Sequence, residues 1–124
     1  MQIQNPDLGM PEGLSDKGQK AHAIIVEYLV ANGLTRTEVQ AFYAPAEWCE
    51  RGEEYGRDSL LVVMYDGCAA LKTAFSLDYC YEVVASRRGY PECYEHHTAM
   101  QAKLEEAGLR VEECTRWYAA IYAN

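Results

Sequence analysis

The sequence predicts an α+β fold: a mostly antiparallel sheet of four or five strands with two long helices and one short one. Three observations predict it. Two stretches carry apolar residues at helical spacing, and each ends in a Gly-Leu pair. Leu60 to Tyr65 (LLVVMY) is a continuous apolar run of strand length. Between and after these lie short aromatic and β-branched runs broken by turn residues. With 49% apolar and 24% charged residues, 124 positions suffice for one domain with its own core.

The elements follow in order. Residues 1–13 (MQIQNPDLGMPEG) hold two prolines and two glycines without periodicity, which predicts a flexible N-terminal arm ahead of a single domain at 14–124. Ser15 or Asp16 caps a helix running to about Asn32, with Ala21, Ile25, Tyr28 and Leu29 as its apolar stripe, Ile24 beside it and His22 packed at its edge. Gly33 ends that helix and Leu34 folds back on it. A strand is expected at Val39 to Tyr43, and Pro45 suits the first turn of a short helix. Leu60 to Tyr65 reads as the central strand, Asp66-Gly67 as a turn, and residues near 70–76 as a returning strand. Residues 77–90 fit neither period, and Arg87-Arg88-Gly89 reads as the loop that closes them, its charges solvated or paired within the chain. The second long helix is expected from Pro91 to Ala107, with Cys93, His97, Met100 and Leu104 on one stripe. Leu109 to Cys114 and Trp117 to Tyr122 read as one bulged strand or a tight hairpin.

After the first helix this order is strand-helix-strand-strand-helix-strand, that of a ferredoxin-like fold with an extra N-terminal helix. There is also an internal echo. Gly33-Leu34 precedes Phe42-Tyr43-Ala44 at the same offsets at which Gly108-Leu109 precedes Trp117-Tyr118-Ala119. A duplicated unit with its copies side by side is one reading; a recurrent helix-glycine-strand grammar is the other.

Charge narrows the function. Nineteen acidic residues against eleven basic ones give a net charge of -8, and ten tyrosines accompany them. That balance argues against direct binding of nucleic acid or an anionic membrane, both of which need a basic footprint. No stretch approaches the roughly 20 apolar residues of a membrane span. The start lacks the basic and apolar regions of a signal peptide, and five cysteines form no CxxC pair, so five reduced thiols in a cytoplasm are expected.

Catalytic signatures are sparse. There is no nucleophile elbow, phosphate loop or HExxH, and neither an enzyme activity nor a cofactor is expected. Cys93, His96 and His97 are weak metal or nucleophile candidates, because zinc wants three or four such groups and a cysteine needs a base beside it. On the helical stripe, Cys93 and His97 read equally as core residues.

The acidic run is the stronger signal. Glu47, Glu50, Glu53, Glu54 and Asp58 lie within one short stretch, and Glu105, Glu106, Glu112 and Glu113 form a second set. On a helix Glu47, Glu50 and Glu54 would align as a row of charge, with Trp48 and Tyr55 as apolar neighbours. Glu47, Trp48, Glu50, Glu54, Tyr55 and Asp58 are therefore the expected contact residues for a basic protein partner, in particular a nucleic-acid-binding one whose groove they would occupy. A solvated helix face is the plain alternative. In size and charge the chain is similar in a general way to small acidic phage and mobile-element proteins that block host defence, anti-CRISPR proteins among them. That likeness carries no motif and assigns no residue. Two other readings are a small enzyme or ligand-binding domain with a Cys93–His96–His97 cleft, and a homo-oligomer that buries its tyrosines.

Overall fold

The computed structural model describes residues 6–53, 55–86 and 93–124. A 3-10 turn at Pro6–Leu8 leads to helix α1 (Asp16–Ala31), strand β1 (Phe42–Tyr43), the short helix α2 (Pro45–Glu50) and strand β2 (Leu61–Met64). Helices α3 (Ala69–Phe75), α4 (Leu77–Ser86) and α5 (Cys93–Glu106) follow, then the hairpin β3 (Leu109–Glu113) and β4 (Tyr118–Ala123). The sheet is antiparallel throughout, in the order β1-β2-β4-β3. The α+β fold class is as the sequence implies.

Local chemistry sets α1. The Ser15 hydroxyl accepts from Gly18 N at 3.1 Å and closes the N-terminus. Gly33 takes the left-handed conformation, φ 69°, and Leu34 N donates to the Leu29 carbonyl at 2.8 Å. The buried Leu34 side chain completes this cap. Gly18 is needed for contact rather than for conformation: a Cβ there would sit 2.5 Å from the Leu60 carbonyl oxygen. The missing side chain lets α1 lie directly against the entry to β2.

The main core lies between one sheet face and the layer of α1, α3 and α5. Leu61 and Val63 of β2 and Ala119 and Ile121 of β4 meet Ile25 and Leu29 of α1, Leu71 and Phe75 of α3, and Met100 and Leu104 of α5. Leu61, Val62 and Val63 are fully buried, as expected of a strand flanked on both sides by others. The α5 stripe of Cys93, His97, Met100 and Leu104 is buried as its spacing implies.

Several expectations are corrected. Residues 69–75 are helical, not a returning strand: Ala70, Leu71, Ala74 and Phe75 are buried, the i, i+1, i+4, i+5 pattern of one helix face. The Asp66-Gly67 turn forms, with Gly67 at φ 77°, but opens onto that helix. The ferredoxin-like arrangement does not form, because β1 and β2 pair directly and antiparallel where a split βαβ unit needs parallel strands held apart. β1 is two residues long, so the strand expected from Val39 is mostly loop. The C-terminal strands form the hairpin. β1 and β4 lie on either side of β2 and are not neighbours, so the echoed aromatic segments do not sit side by side.

The arm is anchored where it is described. Leu8 is fully buried in the core, the Asp7 carbonyl accepts from Ala41 N at 2.9 Å, and His22 Nε2 donates to the Leu8 carbonyl at 2.9 Å. The expectation of five free thiols is also corrected: Cys80 and Cys93 form a disulfide between α4 and α5, leaving Cys49, Cys68 and Cys114 free. Arg87-Arg88-Gly89 lies outside the described residues. Among the described residues no helix is long and apolar enough to cross a membrane.

Candidate binding face

The helical layer covers one side of the sheet, and a smaller aromatic core covers the other. Strand alternation sends Ala119 and Ile121 toward the helices and Tyr118, Ala120 and Tyr122 to the opposite face. Tyr43, Val62, Met64 and Tyr118 share that face, and α2 packs over them through Trp48. The Trp48 ring lies 4.8 Å from Tyr43, 5.0 Å from Tyr118 and 5.5 Å from Trp117, between centroids. The Arg51 guanidinium stacks over Trp48 at 4.7 Å and Tyr43 at 5.1 Å. Pro45 starts α2, and the helix ends at Glu50.

The chain then crosses the same face through a glycine. Gly56 has φ 92°, and a Cβ there would meet Val62 Cγ2 at 3.3 Å and Ala120 Cβ at 3.6 Å. Backbone in that conformation and that close to the sheet demands glycine. Tyr55 N donates to the Tyr118 hydroxyl at 3.3 Å, and the Ser59 hydroxyl donates to the Gly56 carbonyl at 2.6 Å. So fixed, the loop sets exposed Tyr55 and Asp58 beside β3 and β4, on a groove of about 450 Å³ that Arg57, Glu112, Cys114 and Tyr122 also line.

This groove joins the two acidic segments, which lie far apart in sequence. The Tyr122 phenol is held above its ordinary pKa by burial first and by Cys114, Glu112 and Asp58, against the Arg110 charge. Arg110 stacks over Tyr122 at 4.7 Å and bonds Glu112 at 2.9 Å. Burial, followed by Glu112, pushes the Cys114 thiol up to about 11, so it stays protonated near neutral pH and is a poor nucleophile.

The expected contact residues divide. Glu47 and Glu50 are exposed on α2, and Tyr55 and Asp58 are exposed at the groove. Trp48 is fully buried and presents no surface, so its role as a contact residue is corrected to that of the anchor beneath α2. Glu54 lies outside the described residues, and because α2 stops at Glu50 the row Glu47–Glu50–Glu54 does not run along one helix. Sequence reasoning missed Arg57, Arg110 and Tyr122; alternation along the C-terminal hairpin was the signal that places Arg110, Glu112 and Tyr122 on one face.

The cysteine–histidine cleft does not form. Cys93 is bonded to Cys80. His96 Nδ1 pairs with the Tyr28 hydroxyl at 2.8 Å, while His97 Nε2 lies 3.5 Å from Glu113 Oε1. Successive residues of a helix point about 100° apart, which separates the two rings. Among the described residues no three His, Cys, Asp or Glu side chains are placed to hold a metal ion.

Fold and site together define an α+β protein with α1, α3 and α5 on one face of its sheet, and α2 with an acidic, tyrosine-bearing groove on the other. No protein-family model, curated protein or solved structure matches the chain.

Proposed function

We propose that the protein is a binding module whose groove-bearing face takes a basic protein partner. The observation that supports this best is the meeting of Tyr55 and Asp58 with Glu112 and Tyr122 on the sheet face over which α2 packs, the helix that carries exposed Glu47 and Glu50. Tyrosine offers stiff, amphipathic contact area, and carboxylates at the rim steer a cationic surface toward it. A nucleic-acid-binding protein is the partner class proposed, because its groove is already built to hold an array of negative charge. Acting as an inhibitor of such a protein, as anti-defence proteins do, is the corresponding biological role.

Affinity capture from the source organism's lysate, at low and high salt and with competing DNA, tests the reading. A nucleic-acid-binding protein retained at low salt and released by DNA supports it. Retention that DNA does not disturb, or no specific partner at either salt, overturns it. The cytoplasmic expectation is a separate proposal. A Cys80–Cys93 disulfide persists in oxidising surroundings and is opened in a reducing cytosol, so acid-trapped thiol counts on protein from cells decide it.

A further inference from the structure

The two edges of the sheet are finished differently. β1 offers only two residues, and its outward carbonyl, that of Phe42, accepts from Gln40 Nε2 at 3.0 Å. β3 is longer, five residues, and is the last strand in the order. Its pairing with β4 is bounded by Asn124 N donating to the Gly108 carbonyl at 2.8 Å and Cys114 N donating to the Tyr118 carbonyl at 3.2 Å. Bonded pairs alternate along an antiparallel ladder, so Arg110 and Glu112 bond across to Tyr122 and Ala120. The N–H and C=O groups of Leu109, Val111 and Glu113 therefore point away from the sheet. Among the described residues no hydrogen bond takes them up.

We infer that β3 pairs with β3 of a second copy of this chain, antiparallel and in the register that sets Val111 opposite Val111. The charge pattern selects both occupant and register. Outward groups must face outward groups, so the symmetric registers that pair three or more residues of β3 are those centred on residue 110, 111 or 112. Centring on 110 sets Arg110 against Arg110, and centring on 112 sets Glu112 against Glu112. Only the register centred on Val111 sets Arg110 opposite Glu112 of the second copy, and does so twice. Those positions form non-hydrogen-bonded pairs, where cross-strand side chains stand closest. Both side chains are about half exposed in the single chain, 48% and 55%, and the 2.9 Å pair each chain makes between its own Arg110 and Glu112 would be exchanged for one across the two-fold axis. Leu109, Val111 and Glu113 would then exchange all their outward backbone bonds across the two-fold axis. The result is one eight-stranded sheet with both grooves on the same face, the one that carries α2. Nothing in this pairing depends on a basic partner.

Sedimentation equilibrium of the intact chain tests it, with charge variants. Wild type is expected to dimerise, and Arg110→Glu and Glu112→Arg are each expected to be monomeric, because each sets like charges opposite one another. Mixing the two variants, or combining both changes in one chain, restores complementarity and is expected to restore the dimer. Circular dichroism shows whether each variant is folded, and recovery in the mixture makes the result independent of small losses in stability. A wild-type chain that stays monomeric up to about 1 mM, where association contributes little, overturns the inference. So does a dimer indifferent to both variants, or a β3 edge that accepts a foreign extended peptide while the chain stays monomeric.

Discussion

Replacing Trp48 with alanine is expected to cost about 4 kcal/mol and to detach α2 from the sheet. A buried tryptophan removes about 150–250 Å² from water, which at about 25 cal/mol per Å² is about 4–6 kcal/mol as an upper bound. Realistic unfolded chains already bury part of that surface, which brings the value toward the lower end. Measured truncations of large aromatic residues, about 3–5 kcal/mol, bracket the same figure. The indole N–H of Trp48 is near enough to the Tyr118 phenol to oppose the rise that burial gives its pKa, yet it makes no hydrogen bond of standard geometry. Trp48→Phe should therefore lose about 1 kcal/mol, since it keeps a ring in place and removes a donor that is poorly satisfied. Urea unfolding followed by circular dichroism measures both variants. The chain has two tryptophans, so in Trp48→Ala the emission comes from Trp117 alone, and it should shift to the red as that ring loses its neighbour. A loss below about 1 kcal/mol in Trp48→Ala, with Trp117 emission typical of a buried ring, would refute the packing of α2 described above.

Other consequences are equally direct. Gly18→Ala should destabilise by about 1–3 kcal/mol despite alanine's helix preference, because the new Cβ meets the Leu60 carbonyl; a thermal melt showing stabilisation would contradict that contact. His22 has its pKa lowered from 6.5, chiefly by burial, so the fold favours the neutral ring. Its contribution is fully present above the unfolded value and is lost as pH falls through the folded one. Wild type should thus lose stability relative to His22→Gln between neutral pH and about pH 5, and parallel urea midpoints across that range would exclude this role. In denaturant without reductant three thiols should react, and five after reduction. Removing the cross-link with Cys80→Ser and Cys93→Ser should cost about 3 kcal/mol, the loop-closure value for a separation of 13 residues. Five reactive thiols before reduction would show that the bond is absent.

What the sequence disclosed was what local chemistry controls. Ser15, Gly33 and Leu34 mark the ends of α1 because caps are made by neighbours in sequence, and the α5 stripe is visible because helical spacing is. The 69–75 segment misled because Asp66-Gly67 is an equally good hairpin signal and helix opening. Ala69 to Lys72 are strong helix formers, and the buried positions within this helix became apparent only against α5. The Cys80–Cys93 bond depends on α4 meeting α5, and Leu8 finds its place in a core made mostly of residues far along the chain. The candidate face was half legible. Acidic residues and tyrosines could be counted, and Glu47, Glu50, Tyr55 and Asp58 are exposed. That Asp58 meets Glu112 follows from strand order, and the burial of Trp48 from the packing of α2, neither of which has a local signal.

The most direct test of the binding face is the affinity of the captured partner for wild type and for a chain carrying Glu47→Lys, Glu50→Lys and Asp58→Lys, measured at low and high salt. All three positions are exposed, and none lies on β3, so folding and self-pairing are left intact. The expected result is slower association and weaker binding of the variant at low salt, with the difference shrinking as salt screens it. Equal affinity of the two chains at low salt would mean that these carboxylates are merely solvated and that the partner binds elsewhere.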